Sequence, residues 1–129
     1  MSVYTASIVI DRSPDEVFAF VRVPENQPEW AINFVRSTRA VGDGRYVMDT
    51  PVGELTYRIE ADDGCRTVDF VFETPAGENV LPSRVVRHPA GCLFTFTITR
   101  GPDQPDEAWK QGRSGLDEEL LRLKQLLER

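Results

Sequence analysis

The chain has 129 residues, a formal net charge of -6 and a pI near 4.8. That length suits one domain over residues 1–129 with a core that needs no covalent staples. The acid excess removes the diffuse positive field that a phosphate backbone requires, so no nucleic-acid partner is expected.

No apolar run approaches the ~20 residues of a membrane span, so no membrane span is expected. The N-terminal segment MSVYTASIVI has no basic n-region and no cleavage site, which reads as a cytoplasmic protein. Cys65 and Cys92 each fall at the start of a predicted strand and are expected to fill core space rather than to pair. His88 is the only histidine, and no CxxC or HxxxH pair exists, so neither a metal nor another cofactor is expected. A Ser-His-Asp or Cys-His mechanism would have to recruit His88, which sits beside Pro89 as a turn residue.

In chain order, residues 3–10 are rich in Val, Ile and Thr and predict a strand. Ser13-Pro14-Asp15-Glu16 then predicts a helix start: Ser13 caps, Pro14 takes the first helical position, and Glu16 completes a capping box. Pro24 interrupts this helix and opens a second that closes on Pro28-Glu29-Trp30. Strands are predicted at about 32–41, 45–50, 54–61, 65–73, 79–88 and 92–99. Asp63-Gly64 reads as a two-residue hairpin turn. Three further turns share one pattern, Thr50-Pro51-Val52-Gly53, Thr74-Pro75-Ala76-Gly77 and His88-Pro89-Ala90-Gly91, in which proline presets the backbone and glycine takes a positive φ. Links this short predict an antiparallel meander. Asp103 to Arg129 predicts a long helix, capped by Asp103 or Gln104, with Leu116, Leu120, Leu123 and Leu127 on one stripe that Trp109 and Gly112 extend.

Alternation places Leu55, Tyr57 and Ile59 on one face, as it does Val68, Phe70 and Phe72, and Cys92, Phe94, Phe96 and Ile98. Hydrophobicity leaves the strand at 79–88 ambiguous. Three-residue loops at Pro75–Gly77 and Pro89–Gly91 would pair Phe72 with Val80 and Phe94 with Val86, and both would turn Arg84 inward; Pro82 could introduce a bulge that reverses this. At Pro51–Gly53 a three-residue loop would instead turn Val47 inward, whereas alternation favours Tyr46 and Met48, and alternation is preferred there because it keeps Arg45 and Asp49 off the core.

This order of a strand, two short helices, a six-strand meander and a long terminal helix resembles the START-like (SRPBCC) superfamily over nearly the whole chain, most of all its small bacterial polyketide cyclase/dehydrase-like members. The residues that carry the resemblance are Ser13 to Phe18, Pro28-Glu29-Trp30, Gly42-Asp43-Gly44 and the helix from Trp109 to Leu127. It implies an α+β helix-grip fold, a curved seven-stranded antiparallel sheet wrapped around the C-terminal helix with an apolar cavity between them. It also implies a small hydrophobic molecule as partner; related proteins bind lipids, sterols or polyketides, some are cyclases or dehydratases, and some assist a large ATPase chaperone.

The expected cavity lining is Phe34, Tyr46, Met48, Tyr57, Phe70 and Phe72, with Phe94, Phe96, Trp109, Gly112 and Leu116. Arg84, if inward, would pair with a ligand carboxylate, enolate or phenolate, and Tyr46 and Tyr57 would donate hydrogen bonds from the same wall. No paired inward carboxylates and no inward histidine are expected. A binding module is therefore favoured, with a polyketide cyclase/dehydratase-type enzyme and a protein-binding domain as alternatives; a homodimer is open beside a monomer.

Overall fold

The computed structural model describes residues 1–129. Strand β1 (Val3–Ile10) leads into helix α1 (Pro14–Val21), a 3-10 turn at Pro24–Asn26 and the short helix α2 (Gln27–Trp30). Strands β2 (Ser37–Gly42), β3 (Arg45–Thr50), β4 (Gly53–Asp62), β5 (Thr67–Thr74), β6 (Gly77–His88) and β7 (Gly91–Thr99) follow, and helix α3 (Asp106–Leu127) ends the chain. The strands form one curved antiparallel sheet in the order β1-β7-β6-β5-β4-β3-β2. The meander therefore runs as predicted, and β1 closes it against β7.

Local chemistry explains the helix starts. The Ser13 hydroxyl accepts the Glu16 N–H and donates to the Glu16 carboxylate, satisfying a donor that the first turn of α1 leaves open. Val17, Phe18 and Val21 then turn inward over the sheet. Helix α3 begins later than predicted. Pro105 is its cap residue and no side chain caps it, because Gln104 is used locally: its side-chain oxygen accepts the Gly101 N–H and its carbonyl accepts from Arg100.

The turns correct the predicted registers. Thr50 lies opposite Gly53, Thr74 opposite Gly77 and His88 opposite Gly91, so each Pro-x pair is a two-residue loop. Each glycine takes a positive φ (110°, 119° and 128°) and already pairs as the first residue of the next strand. Phe72 consequently faces Asn79 rather than Val80, and Phe94 faces Val85 rather than Val86. A slip of one residue exchanges faces, so Arg84 points outward and is exposed, while Ser83 and Val85 are buried. Ser83 is tolerated inside because its hydroxyl donates to the Val68 carbonyl at 2.7 Å. The Asp63-Gly64 turn is also longer than expected: Asp62 pairs with Thr67, leaving residues 63–66 as the loop. That shift is by two residues, so Tyr57 and Phe70 keep their predicted face. Cys65 falls in this loop and is exposed rather than core-filling, whereas Cys92 is buried as expected.

Pro82 makes no bulge. It marks the point where β6 parts from β7: residues 83–88 pair with β7, but Gly77–Pro82 pair only with β5. Beyond Phe96, β7 pairs only with β1. A residue without an N–H is suited to the position where a ladder ends.

Helix α3 is fastened by its C-terminal half. Leu116, Leu120 and Leu123 enter the core, and Leu126 and Leu127 pack against it. Tyr4 Oη donates to Asp117, Lys124 Nζ donates to the Val9 carbonyl, and the Asp11 N–H donates to Glu128. The helix thus lies along β1 and also meets α2.

Gly91 tests the turn geometry. A Cβ at Gly91 would lie 2.3 Å from the Ile10 carbonyl oxygen, whereas at Gly53 it would meet nothing within 4 Å. Gly91→Ala is expected to lower stability by more than about 2 kcal/mol, and Gly53→Ala by only about 1, since the latter carries backbone strain without a clash. Urea denaturation of the two variants checks this, and equal losses would refute the assigned approach of β7 to the end of β1.

Candidate functional site

Because α3 is held along β1, its N-terminal half roofs a space over the inner face of the central strands. The result is a cavity of about 810 Å³. Phe70, Phe72 and Phe96 line its sheet side together with Met48, Leu81 and Ile98. Trp30 and Ala31 close the α2 end, and Trp109, Gly112, Ser114 and Leu116 line the helix side. Pro51 and Val52, at the tip of the β3–β4 hairpin, belong to the wall as well. The volume falls in the range of small-molecule sites.

Eight of the predicted lining residues therefore meet at one cavity: Phe34, Met48, Phe70, Phe72, Phe96, Trp109, Gly112 and Leu116. Phe34 does so from a loop, not from a strand as predicted. The N–H groups of Phe34 and Val35 turn back to the Ala31 carbonyl, so β2 starts only at Ser37, and Phe34 is 38% exposed. Gly112 leaves open space where a side chain would stand, since nothing lies within 4 Å of an added Cβ.

Four predicted residues lie elsewhere. Arg84 is on the outer face, for the register reason given above. Phe94 is fully buried beneath the cavity floor, its ring 6.1 Å from Trp30 in an edge-to-face contact. Tyr57 is fully buried, and its hydroxyl donates to Gln27 at 2.7 Å and also bonds Thr38. Burial pushes its pKa up to about 12, so it stays a neutral phenol. Tyr46 lies beside Tyr57 with the two rings tilted by 39°, and its hydroxyl donates to Glu25. The 3-10 turn and α2 cover this end of the sheet, and they take up the hydroxyl groups that a ligand would otherwise meet.

The group that sequence reasoning missed is Glu119. It lines the cavity, yet the residue is only 7% exposed. Its Oε2 accepts the backbone N–H groups of Asn33 (2.9 Å) and Phe34 (3.1 Å). Asn33 Nδ2 in turn donates to the Gly115 carbonyl, so the loop is tied to α3 at two points. Burial pushes the Glu119 pKa up from 4.5 to about 7; the two N–H donors oppose this, and the neighbouring Glu118 charge adds to it. The signal was present in the sequence, because Glu119 lies three residues after Leu116 and four before Leu123, on the inward stripe.

The remaining charges are unbalanced. Glu107, Glu118 and Glu119 line the cavity, against one cation, Lys110. Trp30 adds a buried indole N–H that has no acceptor.

Glu119 gives stability a pH slope. Between 4.5 and about 7 the folded protein holds a proton that the unfolded chain has released. This contribution is complete below the ordinary carboxylate pKa and is lost as pH rises through about 7. Its size is up to roughly 3 kcal/mol. Urea unfolding at several pH values should show wild-type stability falling across this window relative to Glu119→Gln. Parallel curves for the two proteins would contradict the assignment.

The comparisons with known proteins agree on the architecture. The solution structure of the Aha1 dimer from Colwellia psychrerythraea superposes with a TM-score of 0.77 at 15% identity, covering 99% of this chain and 97% of that one. A START superfamily protein from Mycobacterium smegmatis superposes at 0.76 with 11% identity, covering 98% and 97%. The di-domain ARO/CYC BexL from the BE-7585A biosynthetic pathway gives 0.77 at 22% identity, with 99% of this chain covering 47% of that one. No curated protein matches in sequence. No helix is long and apolar enough to cross a membrane. The sequence profile described as "Polyketide cyclase / dehydrase and lipid transport" matches residues 1–128, and the chain belongs to that family.

Proposed function

We propose that this protein binds a small hydrophobic or amphipathic molecule in the cavity between the sheet and α3. The observation that carries the reading is the 810 Å³ space itself, with Phe70, Phe72, Phe96, Trp30 and Trp109 on its walls. Aromatic walls supply affinity through apolar burial, and a few polar groups set orientation. Family membership and the fold shared with START proteins support the same reading.

An enzymatic role of the cyclase/dehydratase type has one specific support. A carboxylic acid with a pKa of about 7 on a cavity wall is suited to moving protons at neutral pH. In that reading Glu119 is the general acid or base and the aromatic walls hold a flexible substrate in place. For oligomeric state, the dimer of the Colwellia neighbour supports a homodimer.

Titration with a neutral solvatochromic dye such as Nile red tests the binding reading. Both tryptophans of the chain line the cavity, so their quenching reports occupancy independently of the dye's own emission. Gly112→Leu projects bulk from α3 and should weaken binding about tenfold. It should also leave folding intact, because it removes a helix glycine worth roughly 1 kcal/mol. Unchanged affinity in a folded Gly112→Leu protein would move the function from the cavity to the outer surface.

A further inference from the structure

We infer that Glu119 selects the polarity of the ligand: its unpaired oxygen receives a hydrogen-bond donor, so the cavity takes hydroxyl- or amine-bearing hydrophobes and rejects carboxylates. This inference rests on the binding reading above and specifies its ligand class.

The two oxygens of the Glu119 carboxyl group have different surroundings. Oε2 is occupied by two backbone N–H groups from the Ala31–Val35 loop. Those bonds fix the plane and position of the group. Oε1 has no partner in the protein, and Glu119 lines the cavity. A carboxyl group whose first oxygen is already saturated by the protein offers only the second to a ligand. Above a pKa of about 7 the group is mainly ionised and that oxygen can only accept, so the complementary ligand group is a donor.

The surroundings have the same sign. Glu107 and Glu118 also line the cavity, and Lys110 is the single cation there. No arginine or histidine lines it, and Arg84, the residue placed by sequence to receive an anion, is outside. An anionic ligand would bring its charge toward the buried Glu119 in a space walled by aromatic rings, where repulsion is poorly screened, while the exposed Glu118 adds only a solvent-screened charge of the same sign. A neutral hydroxyl meets no such cost. A protonated amine gains a charge-assisted bond and keeps Glu119 ionised.

The test uses one ring system with three polar ends. Naphthol, naphthylmethylamine and naphthoate are titrated calorimetrically into the intact wild-type protein at a pH of about 7.5. Naphthol and naphthylmethylamine should each bind at least about tenfold more tightly than naphthoate, the equivalent of one charge-assisted hydrogen bond or more. In Glu119→Gln the amide oxygen can keep the loop N–H groups while its NH₂ faces the cavity, so the preference for naphthol over naphthoate should shrink to within about threefold or reverse. The wild-type series stands alone if that variant does not fold. Equal or tighter binding of naphthoate by the wild type overturns the role of Glu119 and leaves the cavity reading intact. Absence of binding by all three overturns both.

Discussion

The structure depends on where α3 is fastened. Its leucines enter the core only from Leu116 onward, and its polar ties to the sheet, through Tyr4, Val9 and Asp11, all go to β1 or just past its end. A helix docked along one margin cannot also lie in the middle of a curved sheet. The inner faces of β5 and β7 are therefore left with Phe70, Phe72 and Phe96 lining open space rather than packed under α3. Core stability and an internal chamber come from the same helix, divided by position along its length.

The chemistry of that chamber follows from two parities. One residue of slip in two turns sends Arg84 out and Ser83 in. One position of helical phase brings Glu119 in, against the loop that carries Phe34. Together they invert the sign of the site that inspection of arginines would suggest. An interior that would have greeted anions instead carries an acid held near neutrality by burial. Family membership says nothing about this sign, because it depends on individual side chains and not on the scaffold.

Much of the fold was legible because it rests on strong local signals. The Ser13 cap and the period-two alternation of β4, β5 and β7 each have one reading, and the proline turns place the strand boundaries between them. The element order, together with the motifs at Ser13 to Phe18, Pro28-Glu29-Trp30 and Gly42-Asp43-Gly44, carried the family resemblance. What was not legible turned on loop count. The pattern Pro-x-Gly fits two residues or three, and hydrophobicity in β6 does not choose between them. The β3–β4 turn held the clue, since alternation there already demanded Met48 inward and so a two-residue loop; the same chemistry at the other two turns required the same answer. Glu119 was passed over for a different reason. Glutamates on a terminal helix are ordinarily solvated, and only the fold brings the Asn33 and Phe34 N–H groups onto this carboxylate. Tyr46 and Tyr57 were read correctly as inward, but the cover provided by α2 is a tertiary fact that strand periodicity does not contain.

The parting of β6 from β7 at Pro82 has a cost beyond the cavity. It leaves a run of peptide groups on Gly77–Leu81 without a neighbouring strand on one side, inside a sheet that is otherwise paired there. Such a rim can template addition of a foreign extended segment and so begin self-assembly into fibres. Pro82 blunts that hazard at its inner end, where it withholds the amide hydrogen an incoming chain would need. The gap is also short and lies in a curved, twisted wall, so a long flat partner finds little to grip. The proline that releases the two strands thus also protects the seam it creates.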